Sequence, residues 1–266
     1  MHIKNIFIVC LLLFSNSILA QDFSLPLTTP NMPPAFNAEY AVKVGGISLG
    51  KIDVELTQID SENWIYHSSS TALGLAAMFV DSSAITDTSK LQLLDGTIRP
   101  IFYERIRKTK EVDKSERVFY QWDKKLAQSE YKDRKLEVAL NDLTIDQFTF
   151  QLLIMANINN IPERMILPVI SKAKLKEYQV VNLGVVKLKT IYGERDAILI
   201  ERTKEGSAYR VWADPALHGL PLQIERIKEG KSEYIVKIEN SSLHKASEKI
   251  TTQSMNSPQS SYFQSR

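Results

Sequence analysis

The sequence predicts a mainly β protein: an antiparallel meander of about twelve strands curled into a barrel or half-barrel, with one buried helix in mid-chain. Three observations carry this. Apolar residues recur with period two through most of the chain, turn-forming pairs separate the alternating runs, and a single apolar stretch around residue 150 breaks the rhythm.

Residues 1–20 read MHIKNIFIVCLLLFSNSILA. Lys4 gives a positive start, Ile6 to Phe14 an apolar centre and Ile18 to Ala20 a cleavage site ahead of Gln21, which is the pattern of a secretory signal peptide. Residues 21–35 set Pro26, Pro30, Pro33 and Pro34 among polar neighbours and read as an extended Pro-rich leader. One β-barrel-like domain is expected over residues 36–243. Residues 244–266, rich in Ser, Gln, Thr and Lys, read as a disordered tail.

Within the domain, Phe36, Ala38, Tyr40, Val42 and Val44 alternate with polar or small residues, and Ile52, Val54 and Leu56 alternate with Lys51, Asp53 and Glu55. The same pattern holds for Val118, Tyr120 and Trp122, for Leu136, Val138 and Leu140, and for Tyr234, Val236 and Ile238. Such runs are strands with one buried and one wet face. Gly45-Gly46, Asp60 to Asn63, Asp95-Gly96, Asp123-Lys124, Glu205-Gly206 and Glu229-Gly230 mark the turns. Trp122 and Trp212 are expected as packed anchors of the sheet. A helix is expected from Ile145 to Asn157, with Thr144 as N-cap, Gln147 completing a capping box, and a run (FTFQLLIMAN) too apolar to lie on a surface. Ala72 to Val80 is a weaker helical or loop candidate.

Charge and chemistry exclude several function classes. The 33 basic and 31 acidic residues nearly balance, which gives no reason to expect nucleic acid as a partner. Cys10 is the only cysteine and lies in the signal, so the processed chain has no thiol for a disulfide, a metal or nucleophilic attack. The stretch Gly45-Gly46-Ile47-Ser48-Leu49-Gly50 contains G-x-S-x-G, the spacing of a hydrolase nucleophile elbow, but that motif needs a helix after the serine. Here an alternating strand follows, so the glycines read as a hairpin turn. Asp214 and His218 sit in a Pro/Gly-rich loop in which Asp214 serves to close the turn; they are the weak residual case for an enzyme. His67 reads as a satisfied strand residue. The clusters Arg105 to Lys108 and Lys172 to Lys176 read as solvated strand ends. No phosphate-binding glycine loop or metal-ligand spacing is present, so no catalytic, metal or cofactor-binding residues are assigned and no cofactor is expected.

The order of several short stretches resembles the DUF 3108 family of exported bacterial proteins, a domain of unknown function. They are Phe36 to Tyr40 with the GGISLGK turn, Asp95 to Tyr103, Phe119 to Trp122, and Arg210 to Asp214 leading to Leu220 to Glu225. The resemblance implies a fold similar to periplasmic lipoprotein-carrier half-barrels and a location in the periplasm of a Gram-negative envelope. It supplies no catalytic residues.

A curled sheet of this width leaves a concave face to be filled. The mid-chain helix either plugs it completely or frames an apolar groove with it. In the second case Phe148, Leu152 and Met155, at i, i+4 and i+7, share the helix face that lines the groove, while Phe150 and Leu153 point elsewhere. The expected function is a non-catalytic exported binding module or carrier for a lipid, lipidated or other apolar ligand, not integral to the membrane after signal cleavage. The alternatives are a structural adaptor that binds another envelope protein and, less favoured, a hydrolase.

Overall fold

The computed structural model describes residues 32–73, 84–107, 114–204 and 206–248. Its strands are β1 (Phe36–Val44), β2 (Ile47–Gln58), β3 (Asn63–Ala72), β4 (Ala84–Leu94), β5 (Thr97–Ile106), β6 (Glu116–Gln121), β7 (Leu126–Tyr131) and β8 (Arg134–Ala139). After the two-residue β9 (Ile145–Asp146) and the helix α1 (Thr149–Ala156) come β10 (Arg164–Ile170), β11 (Leu175–Thr190), β12 (Gly193–Lys204), β13 (Ser207–Asp214), β14 (Leu220–Lys228) and β15 (Lys231–Ser241). All fifteen belong to one sheet. The count exceeds the expected twelve or so because β6, β7 and β8 are only six residues each and β9 only two.

The topology is two meanders joined in the middle. Successive strands from β1 to β8 pair antiparallel in one arm and those from β10 to β15 in the other, and β1 pairs β15 antiparallel to fuse the arms. Only β9 runs parallel to its neighbour, β10. β8 and β9 are the sheet edges and do not pair with each other, so the curl is not closed by a hydrogen-bonded ladder.

Local chemistry explains most elements. Along β1, Phe36, Ala38 and Tyr40 are buried while Asn37 is exposed, as period two requires. The β1–β2 connection is a two-residue turn in which Gly45 (φ +56°) and Gly46 (φ +86°) both take the left-handed backbone, the type I′ geometry that matches strand twist. Ser48 follows on β2, exposed, with no helix after it. Ser48→Ala should therefore shift the denaturation midpoint by less than about 0.5 kcal/mol in stability terms. Gly45→Val should cost about 1 kcal/mol or more, because a β-branched residue resists positive φ.

The helix region departs from expectation at its start. Ile145 and Asp146 pair with Val169 and Ile170 instead of entering the helix. Thr144 does not cap it: its hydroxyl accepts from the Asn141 amide at 3.1 Å and donates to Asn141 Oδ1 at 2.9 Å, closing the preceding turn. The N-cap position is Phe148, and the capping bonds come from Asp146 two residues before it, whose Oδ1 accepts from the amides of Phe148 (2.8 Å) and Thr149 (2.7 Å). α1 lies inside the curl and divides its apolar filling. Phe148, Leu152 and Met155 belong to the larger cluster with Leu56, Tyr66 and Leu220, the rings of Phe148 and Tyr66 stacking 4.2 Å apart. Leu153 and Ile154 belong to a second cluster with Leu167, Val180 and Ile200.

Three further expectations are corrected. Trp122 and Trp212 are only half-buried; the buried indole is that of Trp64. Trp122 lies beyond the end of β6 and donates from Nε1 to the Pro100 carbonyl at 2.8 Å, with Arg99 over its ring. Residues 244–248, expected in the disordered tail, are ordered: residues 242–248 are helical, Leu243 is buried and the His244 ring stacks 3.7 Å from that of Tyr192. Residues 249–266, the signal and most of the leader, and 74–80 of the weak helical candidate lie outside the described residues.

Candidate binding cavity

Where the two arms meet across the interior, side chains make the junction that the backbone does not. On β4 and β5, Asp87 takes a bidentate pair from Arg105 (Nε to Oδ1 2.8 Å, Nη2 to Oδ2 2.9 Å) and a bond from the Tyr103 hydroxyl at 2.7 Å. From the opposite arm, Gln147 donates to the Tyr103 oxygen at 2.9 Å and accepts from the Ser171 hydroxyl at 3.1 Å. Asp146 accepts from Ser89 of β4 at 3.2 Å and from the Thr149 hydroxyl at 2.6 Å. The Lys172 amide donates to Glu116 of β6. Arg105 is thus part of a polar seam and not a solvated strand end, whereas Lys172 joins the seam only through its backbone amide and keeps an exposed side chain: the alternation that marks wet faces cannot show that two wet-looking ends will face each other.

Burial raises the carboxyl pKa of Asp146, opposed by the bonds from Thr149, Phe148 and Ser89. It raises that of Glu116 too, opposed by the Lys172 amide and by the charges of Arg105 and Lys176. A carboxyl with a raised folded-state pKa stabilises the fold fully below its unfolded value, about 4.3 for Glu, and loses that contribution as pH climbs through the folded value. Glu116→Gln removes the titration. Its stability relative to the parent should therefore improve as pH rises from about 4, as read from urea midpoints across a pH series; a difference constant with pH would refute the assignment.

Beside the seam, α1 and the concave face frame a partly open cavity of about 360 Å³. Its walls are mostly apolar, with Ile154 on the helix and Val211, Ile224 and Val236 on the sheet. The helix presents an arc to it whose middle is Gln151 and Ile154, four residues or fewer apart and so on one face. Phe148 and Met155 lie at one edge of this arc and do line the cavity. Leu152 does not: at about 100° per residue it turns past that edge into the larger core, fully buried. Phe150, expected to point elsewhere, lines the opposite edge, and Leu153 faces the second core.

The polar lining of the cavity includes Arg202, Tyr209 and Tyr234, which belong to a cross-strand ladder of tyrosine and arginine. Arg202 on β12 is paired in register with Tyr209 on β13, Tyr209 with Arg226 on β14, and Arg226 with Tyr234 on β15. The Arg202 guanidinium carbon lies 4.2 Å from the ring centre of Tyr178 and 4.3 Å from that of Tyr209, held between two aromatic faces. Burial raises the Tyr178 pKa, and the adjacent Arg202 charge and its hydrogen bond work against that rise. Burial also lifts the Tyr234 hydroxyl to about 12. Of these residues the sequence pattern singled out only Tyr234, on an alternating strand. The one available signal was symmetry about the Glu205-Gly206 turn, which sets Arg202 opposite Tyr209.

Of the residual catalytic candidates, Asp214 is in structural use. Asp214 Oδ1 accepts from the Ala216 amide at 2.9 Å, capping a short 3₁₀ turn (Pro215–Leu217), and Oδ2 accepts from Arg195 at 2.8 Å. His218 is exposed at a left-handed position, φ +55°. His67 Nδ1 shares a hydrogen bond with the Thr88 hydroxyl at 2.8 Å. Among the described residues no cluster of His, Cys, Asp and Glu could hold a metal, and no helix is long and apolar enough to cross a membrane.

Comparison with known proteins adds two findings. A family model described as a protein of unknown function, DUF3108, matches residues 39–234. A solved structure, the β-barrel-like protein of the domain of unknown function DUF1849 from Brucella abortus, superposes with a TM-score of 0.51 at 6% identity, covering 78% of this chain and 96% of that one. At that identity the likeness is one of fold. No curated protein matches the chain in sequence.

Proposed function

The chain belongs to the DUF3108 family, and on that premise we propose that it is an exported cell-envelope protein, a non-catalytic binding module or carrier that holds a lipid, lipidated or other apolar ligand between α1 and the concave sheet. The observation that carries this reading is the mostly apolar cavity of about 360 Å³, inside the range of about 300–1,000 Å³ usual for ligand sites. A helix acting purely as a plug would leave no such space. The signal-like residues 1–20 support export, with the periplasm as destination.

The test fills the space. Phenylnaphthylamine, a neutral probe that fluoresces in apolar surroundings, should bind the purified protein. Val211→Phe, which enlarges a half-buried wall residue, should weaken that binding about tenfold or more while changing stability by about 1 kcal/mol or less, because the added ring enters open space. Equal binding by both proteins, or none by the parent, overturns the reading.

An adaptor role draws on β8, whose outer edge is unpaired. That edge is only six residues long and exposes Arg134, Lys135 and Glu137, features that discourage strand addition. The cavity reading is therefore preferred.

A further inference from the structure

No carboxylate lines the cavity, yet two arginines do. Arg105 is neutralised there by the bidentate pair with Asp87. Arg226, next along the ladder, is paired with Glu233 at 2.9 Å. Arg202 differs from both. It forms no ion pair among the described residues, and its guanidinium is half-buried between Tyr178 and Tyr209 at the cavity wall. The two rings flank the group, and a hydrogen bond with Tyr178 uses at most a small part of its five N–H donors. A cation held between two rings, partly desolvated and lacking an acidic partner among the described residues is poised for a planar or tetrahedral oxyanion.

The apolar walls begin beside it. Ile200 precedes Arg202 by two residues on the same strand face and lines the same space, as do Val211 and Ile224 on the neighbouring strands. Gln151 on α1 adds an uncharged polar side chain able to donate to the same head group. One volume thus has a charged end and an apolar body.

We infer that the cavity takes a single-chain anionic amphiphile, its carboxylate or phosphate head on Arg202 and its acyl chain along α1. This rests on the reading of the cavity as a ligand site and deepens it by naming the ligand class. At about 360 Å³ the cavity is near the small end of ligand sites, which suits one chain better than two.

The test displaces phenylnaphthylamine from the full protein with three chain-matched amphiphiles: dodecanoate, dodecyl phosphate and the neutral dodecanol. The parent should take at least one anion about tenfold more tightly than dodecanol, a charge-assisted hydrogen bond's worth of preference. The better anion of the two separates a fatty-acid source from a lysophospholipid-type one. Arg202→Gln should abolish the preference, so that within this variant the anions bind no more tightly than dodecanol. Arg226→Gln, on the same ladder but already paired, should retain it. A second measurement needs no variant: modification of Arg202 by phenylglyoxal, followed by peptide mass spectrometry, should be blocked by the bound anion and not by dodecanol. If dodecanol and the anions bind the parent equally, the head-group assignment fails while the cavity reading stands. If none binds, both fail. If the preference survives in Arg202→Gln, or disappears equally in Arg226→Gln, the anion is not held at Arg202.

Discussion

Gly219→Ala is expected to lower stability by about 3 kcal/mol. Gly219 takes φ +73°, and a Cβ built there would sit 2.8 Å from the Met155 Cα and 3.0 Å from the Met155 carbonyl oxygen. Both contacts are backbone, so neither can rotate away. The left-handed backbone costs an L-residue about 1–2 kcal/mol on its own, and overpacking against a fixed helix adds about 1–3 kcal/mol. The neighbouring His218→Asn is the control. His218 is exposed at φ +55°, a conformation that asparagine tolerates, so that change should be worth less than about 0.5 kcal/mol. Urea denaturation of the two variants checks both values. The loop from Asp214 to Pro221 thereby gains a role: it brings a strand connection into contact with α1, with the Gly219 amide tied to the Asp214 carbonyl at 2.8 Å.

Asp146→Ala should cost a similar amount, about 3 kcal/mol or more. Its fully buried carboxylate accepts from two amides at the start of α1 and from two hydroxyls, one of them on the opposite arm. Truncation leaves two amides without an acceptor in a dry interior and leaves the Ser89 and Thr149 hydroxyls with only their 3.3 Å bond to each other. Asp146→Asn retains one acceptor oxygen in place and should lose about half as much. Hydrogen exchange at the Phe148 and Thr149 amides locates the effect: both should exchange much faster in the alanine variant, whereas fast exchange confined to other elements would show that the cap is not what Asp146 provides.

How much was legible beforehand depended on the range of the interaction. Period two in Phe36, Ala38 and Tyr40 reports the strand's own two faces, and the Gly45-Gly46 pair reports its own turn; both are local and both could be read. The apolar run at FTFQLLIMAN identified a buried helix, but its first turn was misplaced. Thr144 offers the same capping chemistry as Asp146, and the choice between them is made by pairing of Ile145 and Asp146 with Val169 and Ile170, more than twenty residues on. The rotation of α1 was wrong by one residue's worth of turn for a related reason. Leu152 and Ile154 are equally apolar, and only the arms around the helix decide which is sealed in the larger core and which also lines the cavity. Arg202 was hidden more deeply. Its neighbours Tyr178 and Tyr209 are a strand away on either side, and no periodicity within β12 refers to them.

The pairing of β1 with β15 has a consequence for how the chain assembles. Apart from the short parallel β9–β10 pair, every other ladder joins consecutive strands antiparallel, so each meander can form from short-range hairpins. The β1–β15 ladder instead brings together Ala38 and Ser241, and the Asn37 amide donates to the Ser242 hydroxyl across the same gap at 3.1 Å. Closing so long a loop carries the largest entropic penalty in the fold. It must therefore follow synthesis of the last strand, and until then β1 presents an unpaired edge while the amino-terminal arm is already able to fold. The centre of the finished sheet is the part of the newborn chain that waits longest for its partner.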